Sequence, residues 1–189
     1  KNVMPSKKMP HLVLLGAGAS LASFPSGDKN GRMYIRSGND LIKLDIYTEQ
    51  FTCLRQKGVY GLFCKKDTLW VSCADGIYYY TGQGTELTFF ARVQKGFVGR
   101  ALYVDKETVW VVTRKYLVAI SREDPLRQEI LLTLDKGNCI LGDSSGNIWV
   151  GAWNGLYRIS PNRETTAYVS HSGMGELSDN QVRCVLEDD

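Results

Sequence analysis

The chain has 189 residues and a formal charge of +3, with 23 basic and 20 acidic side chains spread without a basic block; one domain is expected, and a nucleic-acid phosphate backbone is not a favoured partner. Hydrophobic residues at 43 % and charged residues at 23 % are globular proportions that exclude disorder, collagen and coiled coil. The longest apolar run, Leu12 to Ala19, is well short of the ~20 residues that cross a bilayer.

In chain order, Met9 to Gly16 reads as an outer strand that lacks the rest of its unit. It runs into Gly16-Ala17-Gly18-Ala19-Ser20, which looks like a phosphate-cradling turn. Leu21 stands where that fingerprint needs its third glycine, and Pro25, Ser26 and Gly27 interrupt the helix that would hold a pyrophosphate. A glycine-rich connection is the better reading.

From there the chain repeats itself. A short apolar strand (Ser20 to Phe24, Val59 to Phe63, Arg100 to Val104, Asn138 to Gly142) leads into a polar turn (Asp28 to Gly31, Lys65 to Asp67, Asp105 to Glu107, Asp143 to Gly146). An aromatic then anchors a second strand, at Tyr34, Trp70, Trp110 and Trp149, with spacings of 36, 40 and 39 residues. A third strand follows, and a fourth is expected to end at Lys57-Gly58, Lys95-Gly96 or Lys136-Gly137. A period near 40 made only of strands predicts an all-β fold, a β-propeller of four-stranded antiparallel blades. One blade cannot cover both its apolar faces, so the anchors are expected to pack between blades.

The whole chain, 1–189, reads as one partial propeller: about four blades, with partial blades at Met9 to Gly16 and at Leu177 to Asp189, whose opening strand and turn lack an aromatic strand. A chain with no initiator methionine or signal sequence that stops in mid-blade is expected to be a fragment of a larger ring.

The chemistry-bearing residues are few. His11 and His171 are the only histidines and never cluster with cysteine, so no metal and no cofactor is expected. Cys53, Cys64, Cys73, Cys139 and Cys184 are an odd number without a CxxC pair, read mostly as small buried hydrophobes. The Asp28 and Asp143 turns lack the further oxygen ligands of a calcium loop, and Asp75, Glu107 and Asp143 are expected to be solvated turn charges; no catalytic residue is nominated. In a propeller, the loops between second and third strands open on the same face as the connections between blades. That geometry nominates Arg36, Asn39, Asp75, Arg114, Tyr116, Trp153 and Asn154 from the first loop type, and Lys57, Lys95, Arg100 and Asn138 from the second. Trp153 stands out because it follows the anchor Trp149 by four residues and offers a flat apolar face for a sugar ring, while Arg and Asn supply directional hydrogen bonds.

The stretch from Ile140 to Asp189, with DSSGNIWVGAWNGLYRISP followed by LSDNQVRCVLEDD, closely resembles the two-component regulator propeller repeat, and GDKNGRMYIRSGNDLIKLD resembles it fairly. The second and third repeats lack the glycine of the acidic turn, and Lys115-Tyr116-Leu117 replaces the glycine-leucine pair. The resemblance implies part of a seven-bladed ring in the periplasmic sensor region of a Bacteroides-type hybrid two-component system. It also implies an oligosaccharide ligand, partners in the remaining blades and a second propeller, a homodimer, and membrane attachment only through a helix outside this chain. The histidine kinase would lie elsewhere in the parent polypeptide, leaving this segment without enzyme activity. The alternatives are a propeller enzyme acting on glycans, as lyase or hydrolase, and a protein-interaction scaffold.

Overall fold

In the computed structural model, residues 26–27, 31–55, 58–82, 85–170 and 177–188 are described. They form four sheets, each of four antiparallel strands in sequential order. Blade 1 comprises β1 (Ser26–Gly27), β2 (Arg32–Ser37), β3 (Asp40–Asp45) and β4 (Gln50–Arg55). Blade 2 comprises β5 (Val59–Lys65), β6 (Thr68–Cys73), β7 (Gly76–Tyr80) and β8 (Thr88–Ala91). Blade 3 follows with β9 (Gly99–Val104), β10 (Thr108–Thr113), β11 (Tyr116–Ser121) and β12 (Gln128–Thr133), and blade 4 with β13 (Cys139–Gly142), β14 (Ile148–Ala152), β15 (Gly155–Ile159) and β16 (Thr165–Tyr168). The first strands β1, β5, β9 and β13 pack against one another in series, which places them innermost. The fold is the all-β propeller arrangement that the repeat predicts.

Strand alternation divides each anchor strand between two neighbours. In β6, Leu69, Val71 and Cys73 join Tyr34 and Leu41 of blade 1, while Trp70 joins Leu102, Val104, Val109 and Val111 of blade 3. In β10, Val109 and Val111 face back toward blade 2, while Trp110 and Val112 meet Ile148, Val150 and Ala152 of blade 4. Tyr34, Trp70 and Trp110 are therefore buried between blades. Trp149 has the same forward orientation but is half-buried, and its ring stacks on Tyr168 of its own blade at 5.8 Å.

Asp75 and Glu107 are exposed, as expected of turn charges, but the turn acids also order the fold, and one expectation about the strands needs correction. Asp143 accepts hydrogen bonds from the Trp149 indole Nε1 at 2.8 Å and from Asn147, so it fastens the anchor to its turn. Asp105 does the same for the Trp110 Nε1 at 2.7 Å. Asp75 is held by the Arg55 guanidinium at 2.7 Å and by the Tyr78 hydroxyl at 2.9 Å. Next, the fourth strands stop before the Lys-Gly pairs, at Arg55, Ala91 and Thr133. Lys95 and Lys136 adopt φ of 57° and 48°, left-handed values that cannot continue a strand, so these pairs turn the chain toward the next blade.

The cysteines also depart from expectation. Only Cys73 is buried; Cys64 and Cys139 are intermediate, Cys53 and Cys184 are exposed, and all are free thiols. Burial pushes the Cys73 and Cys139 thiols up to about 11.

The C-terminal segment 177–188 forms no strand, contrary to its reading as an opening strand. It nevertheless enters where an inner strand would: the Val182 N–H donates to the Ala152 carbonyl at 2.8 Å, and the Asn138 amide donates to the Val182 carbonyl. One blade earlier, the Gly137 N–H bonds the Arg114 carbonyl, one residue beyond the end of β10. Met9 to Gly16, the Gly16 to Ser20 turn, Ser20 to Phe24, His11, Lys57 and His171 lie outside the described residues.

Candidate functional site

The loops between second and third strands are bonded directly to the connections between blades, so both loop types share one face. The Val59 N–H donates to the Asn39 carbonyl at 3.0 Å, Ala74 to Gly58 at 2.7 Å, Leu134 to Lys115 at 2.7 Å and Trp153 to Asp135 at 2.8 Å.

On this face a cleft of about 380 Å³ opens between blades 2 and 3, lined by Tyr60, Phe97, Val98, Arg100, Arg114 and Lys115, with Thr113 at its base. Its walls are built by two equivalent irregularities. In β5, Val59 pairs with Cys73 and Gly61 with Ser72, leaving Tyr60 as an extra residue. In β9, Gly99 pairs with Thr113 and Ala101 with Val112, leaving Arg100 extra in the same way. Such a bulge re-aims the side chain it carries. Gly61 lets the two inner strands approach closely: a Cβ there would stand 2.7 Å from the Arg100 carbonyl oxygen.

The third wall comes from the β10–β11 turn. The buried Thr113 hydroxyl donates to the Tyr116 carbonyl at 3.0 Å and accepts from the Tyr116 and Lys115 N–H groups. This closes the turn with Arg114 and Lys115 exposed at its tip. Tyr116 packs on Phe97, ring centroids 4.8 Å apart, and so supports the cleft from behind. Arg36 on β2 is half-buried, and desolvation, with the charge of Arg100, lowers its pKa. A smaller cleft of about 230 Å³ adjoins, sharing Phe97 and including Asp75 and Arg92.

The nominated residues thus divide. Arg100 and Arg114 line one cleft, Tyr116 backs it, and Arg36 lies within electrostatic reach of Arg100. Trp153 is 38 % exposed at the tip of the β14–β15 turn, but one face of its ring is taken by the Lys136 ammonium, 3.3 Å from the centroid. Asn154 accepts the Asp135 N–H at 3.0 Å, and Asn138 ties down Val182, so both hold loops in place. Asn39 is exposed in the β2–β3 turn, and Lys95 is exposed in a short 3-10 turn, Gln94–Gly96. Neither lines either of these two clefts. Tyr60, Phe97 and Lys115 were not nominated. Tyr60 carries a legible signal: it stands ten residues before Trp70, as Arg100 stands ten before Trp110.

Comparison with family models and with curated proteins returns no match. Solved structures do resemble the chain. The extracellular domain assigned to a hybrid two-component system of Bacteroides thetaiotaomicron is similar at 16 % identity and a TM-score of 0.65, over 84 % of this chain and 23 % of that one. Virginiamycin B lyase of Staphylococcus aureus is similar at 12 % and 0.62, over 79 % and 55 % of the two chains. A nidogen/laminin complex is similar at 12 % and 0.57, over 71 % and 57 %. The shared fold is the propeller. The chain spans about a quarter of the Bacteroides domain it resembles, and these three proteins put the fold to unrelated uses, so function has to be argued from the site.

Among the described residues no helix is long and apolar enough to cross a membrane, and no group of His, Cys, Asp and Glu is placed to hold a metal ion.

Proposed function

We propose that this chain is part of an extracytoplasmic, ligand-sensing propeller of a hybrid two-component signalling protein, that it stands in the periplasm, and that its ligand is an oligosaccharide. The observation that carries the reading is the cleft between blades 2 and 3, where basic donors sit beside aromatic and apolar walls on the face where loops converge. That mixture of flat apolar surface and directional hydrogen-bond donors is what a sugar ring requires. The repeat motif of Ile140 to Asp189 supports the same reading.

The cleft also offers a route for a signal. Tyr60 belongs to blade 2, whereas Arg100 and Arg114 belong to blade 3. A ligand touching both favours the arrangement of the two blades that it fits best, and it shifts the population only by its differential affinity for the two arrangements. The remaining blades, a second propeller and a second copy of the protein are the partners through which such a shift reaches a kinase outside this chain.

The fold likeness to a lyase favours one second reading, an enzyme acting on glycans. Titration calorimetry against an oligosaccharide panel, with chromatography of the same mixtures, separates the two. Binding without product is the expected result. Product formation overturns the sensor reading, and unchanged affinity after Arg114→Ala removes that residue from the site.

A further inference from the structure

Most arginines on these blades are spent on the fold. Arg55 pairs with Asp75; Arg122 donates to the carbonyls of Asp105 and Lys106 and lies over Trp70; Arg163 pairs with Glu129 and lies over Trp110; Arg32 donates to the Gly82 carbonyl. Arg100, Arg114 and Lys115 differ. Their side chains have no hydrogen-bond or ion-pair partner among the described residues, and all three line one cleft whose lining contains no carboxylate. Arg36 is a fourth cation near enough to respond to Arg100.

Charges of one sign gathered in a partly enclosed space repel one another, and the repulsion grows as water is excluded. An unpaired surface cation ordinarily spreads into solvent. Here the β9 bulge commits Arg100 to the cleft, and the Thr113 turn holds Arg114 and Lys115 beside it. The complementary occupant carries negative charge. Guanidinium groups form two parallel hydrogen bonds to a carboxylate or a sulfate, which a neutral hydroxyl cannot match.

Resting on the proposed oligosaccharide reading, we infer that the ligand is an acidic sugar, bearing a carboxylate or sulfate held by Arg100 and Arg114 and a ring packed on the aromatic wall of Tyr60 and Phe97. The volume of about 380 Å³ lies within the range of small-ligand sites and accommodates a short stretch of such a chain.

The test is calorimetry on the full-length protein carrying these blades, with four probes: a galacturonate tetrasaccharide, its neutral galactose counterpart, a sulfated disaccharide and inorganic sulfate. The expected result is that one acidic sugar binds at least about tenfold more tightly than the neutral one. Its affinity falls about tenfold or more in Arg100→Gln and in Arg114→Gln, and drops as salt rises from about 0.05 M to about 0.5 M. Both positions are exposed, so an unchanged melting temperature accompanies each loss. Whether the galacturonate or the sulfated probe binds identifies the anionic group. Equal binding of the neutral tetrasaccharide, unaffected by either substitution, overturns the charge inference and leaves the oligosaccharide reading standing. Binding of inorganic sulfate as tight as that of any sugar, or no binding of any sugar, overturns the oligosaccharide reading and the inference with it.

Discussion

Replacing Trp110 with Ala probes the logic by which the blades cohere. The Trp110 side chain is 5 % exposed, packs against blade 4, donates its indole N–H to Asp105 at 2.7 Å and carries the Arg163 guanidinium 5.1 Å from its ring. Truncating a buried tryptophan costs about 3–5 kcal/mol through lost burial and the cavity left behind. The hydrogen bond adds little, since the half-exposed Asp105 regains water. For a domain of this length each kcal/mol lowers the melting temperature by about 2–4 °C, so the loss is about 6–20 °C. Trp110→Phe keeps most of the apolar contact, and the smaller ring, with the lost hydrogen bond as a minor part, costs about 1–2 kcal/mol. Trp149→Ala must cost less than Trp110→Ala, because Trp149 is only half-buried. Melting followed by circular dichroism measures all three. A shift under about 2 °C for Trp110→Ala, or a larger loss for Trp149→Ala, refutes the packing argument.

Three further outcomes are expected. Burial alone would raise the carboxyls of Asp75 and Asp143, but hydrogen bonds from Arg55 and Tyr78, and from Trp149 and Asn147, outweigh it and hold both below the ordinary carboxylate value. Depressed folded pKa values mean that their stabilisation is complete above about pH 4 and is lost as pH falls through them; melting temperatures should drop on acidification less steeply in Asp143→Asn than in the parent, and equal slopes would contradict this. With a thiol reagent at neutral pH, the exposed Cys53 and Cys184 should react first and Cys73 only on unfolding, because burial pushes the Cys73 thiol to about 11 and blocks access; mass spectrometry showing Cys73 labelled as fast as Cys53 would refute it. Gly61→Ala sets a Cβ 2.7 Å from the Arg100 carbonyl oxygen and should cost about 1–3 kcal/mol in denaturant titration, whereas a neutral effect would show that β5 and β9 do not approach so closely.

The propeller was legible because its signals are local and recur four times. Each polar turn, aromatic and apolar alternation obeys the same steric demands, and repetition at a period near 40 lifts them above chance. Which face of an anchor strand meets which blade was not legible, because β6 and β10 are buried on both sides and read as nearly continuous apolar runs. Less could be read where one residue changes the geometry. The bulges at Tyr60 and Arg100 each insert a single residue into an otherwise regular strand, and alternation alone does not reveal which residue leaves the ladder. The Lys-Gly pairs resemble strand ends because glycine marks turns, yet the strands stop two to four residues before the lysine, and the left-handed Lys95 and Lys136 lead onward. Asp143 looks like any turn acid; its bond to an indole six residues along depends on how the hairpin closes. Trp153 was read as open, and the Lys136 that covers it is 17 residues away in sequence.

The central claim is that ligand is held in the cleft between blades 2 and 3, and hydrogen–deuterium exchange with and without a bound oligosaccharide tests it most directly. The account predicts slowed exchange at residues 58–61, 97–101 and 113–116, the backbone that carries Tyr60, Phe97, Arg100 and Arg114. Protection centred instead on Trp153 and the β14–β15 turn, with residues 97–101 unchanged, would contradict it.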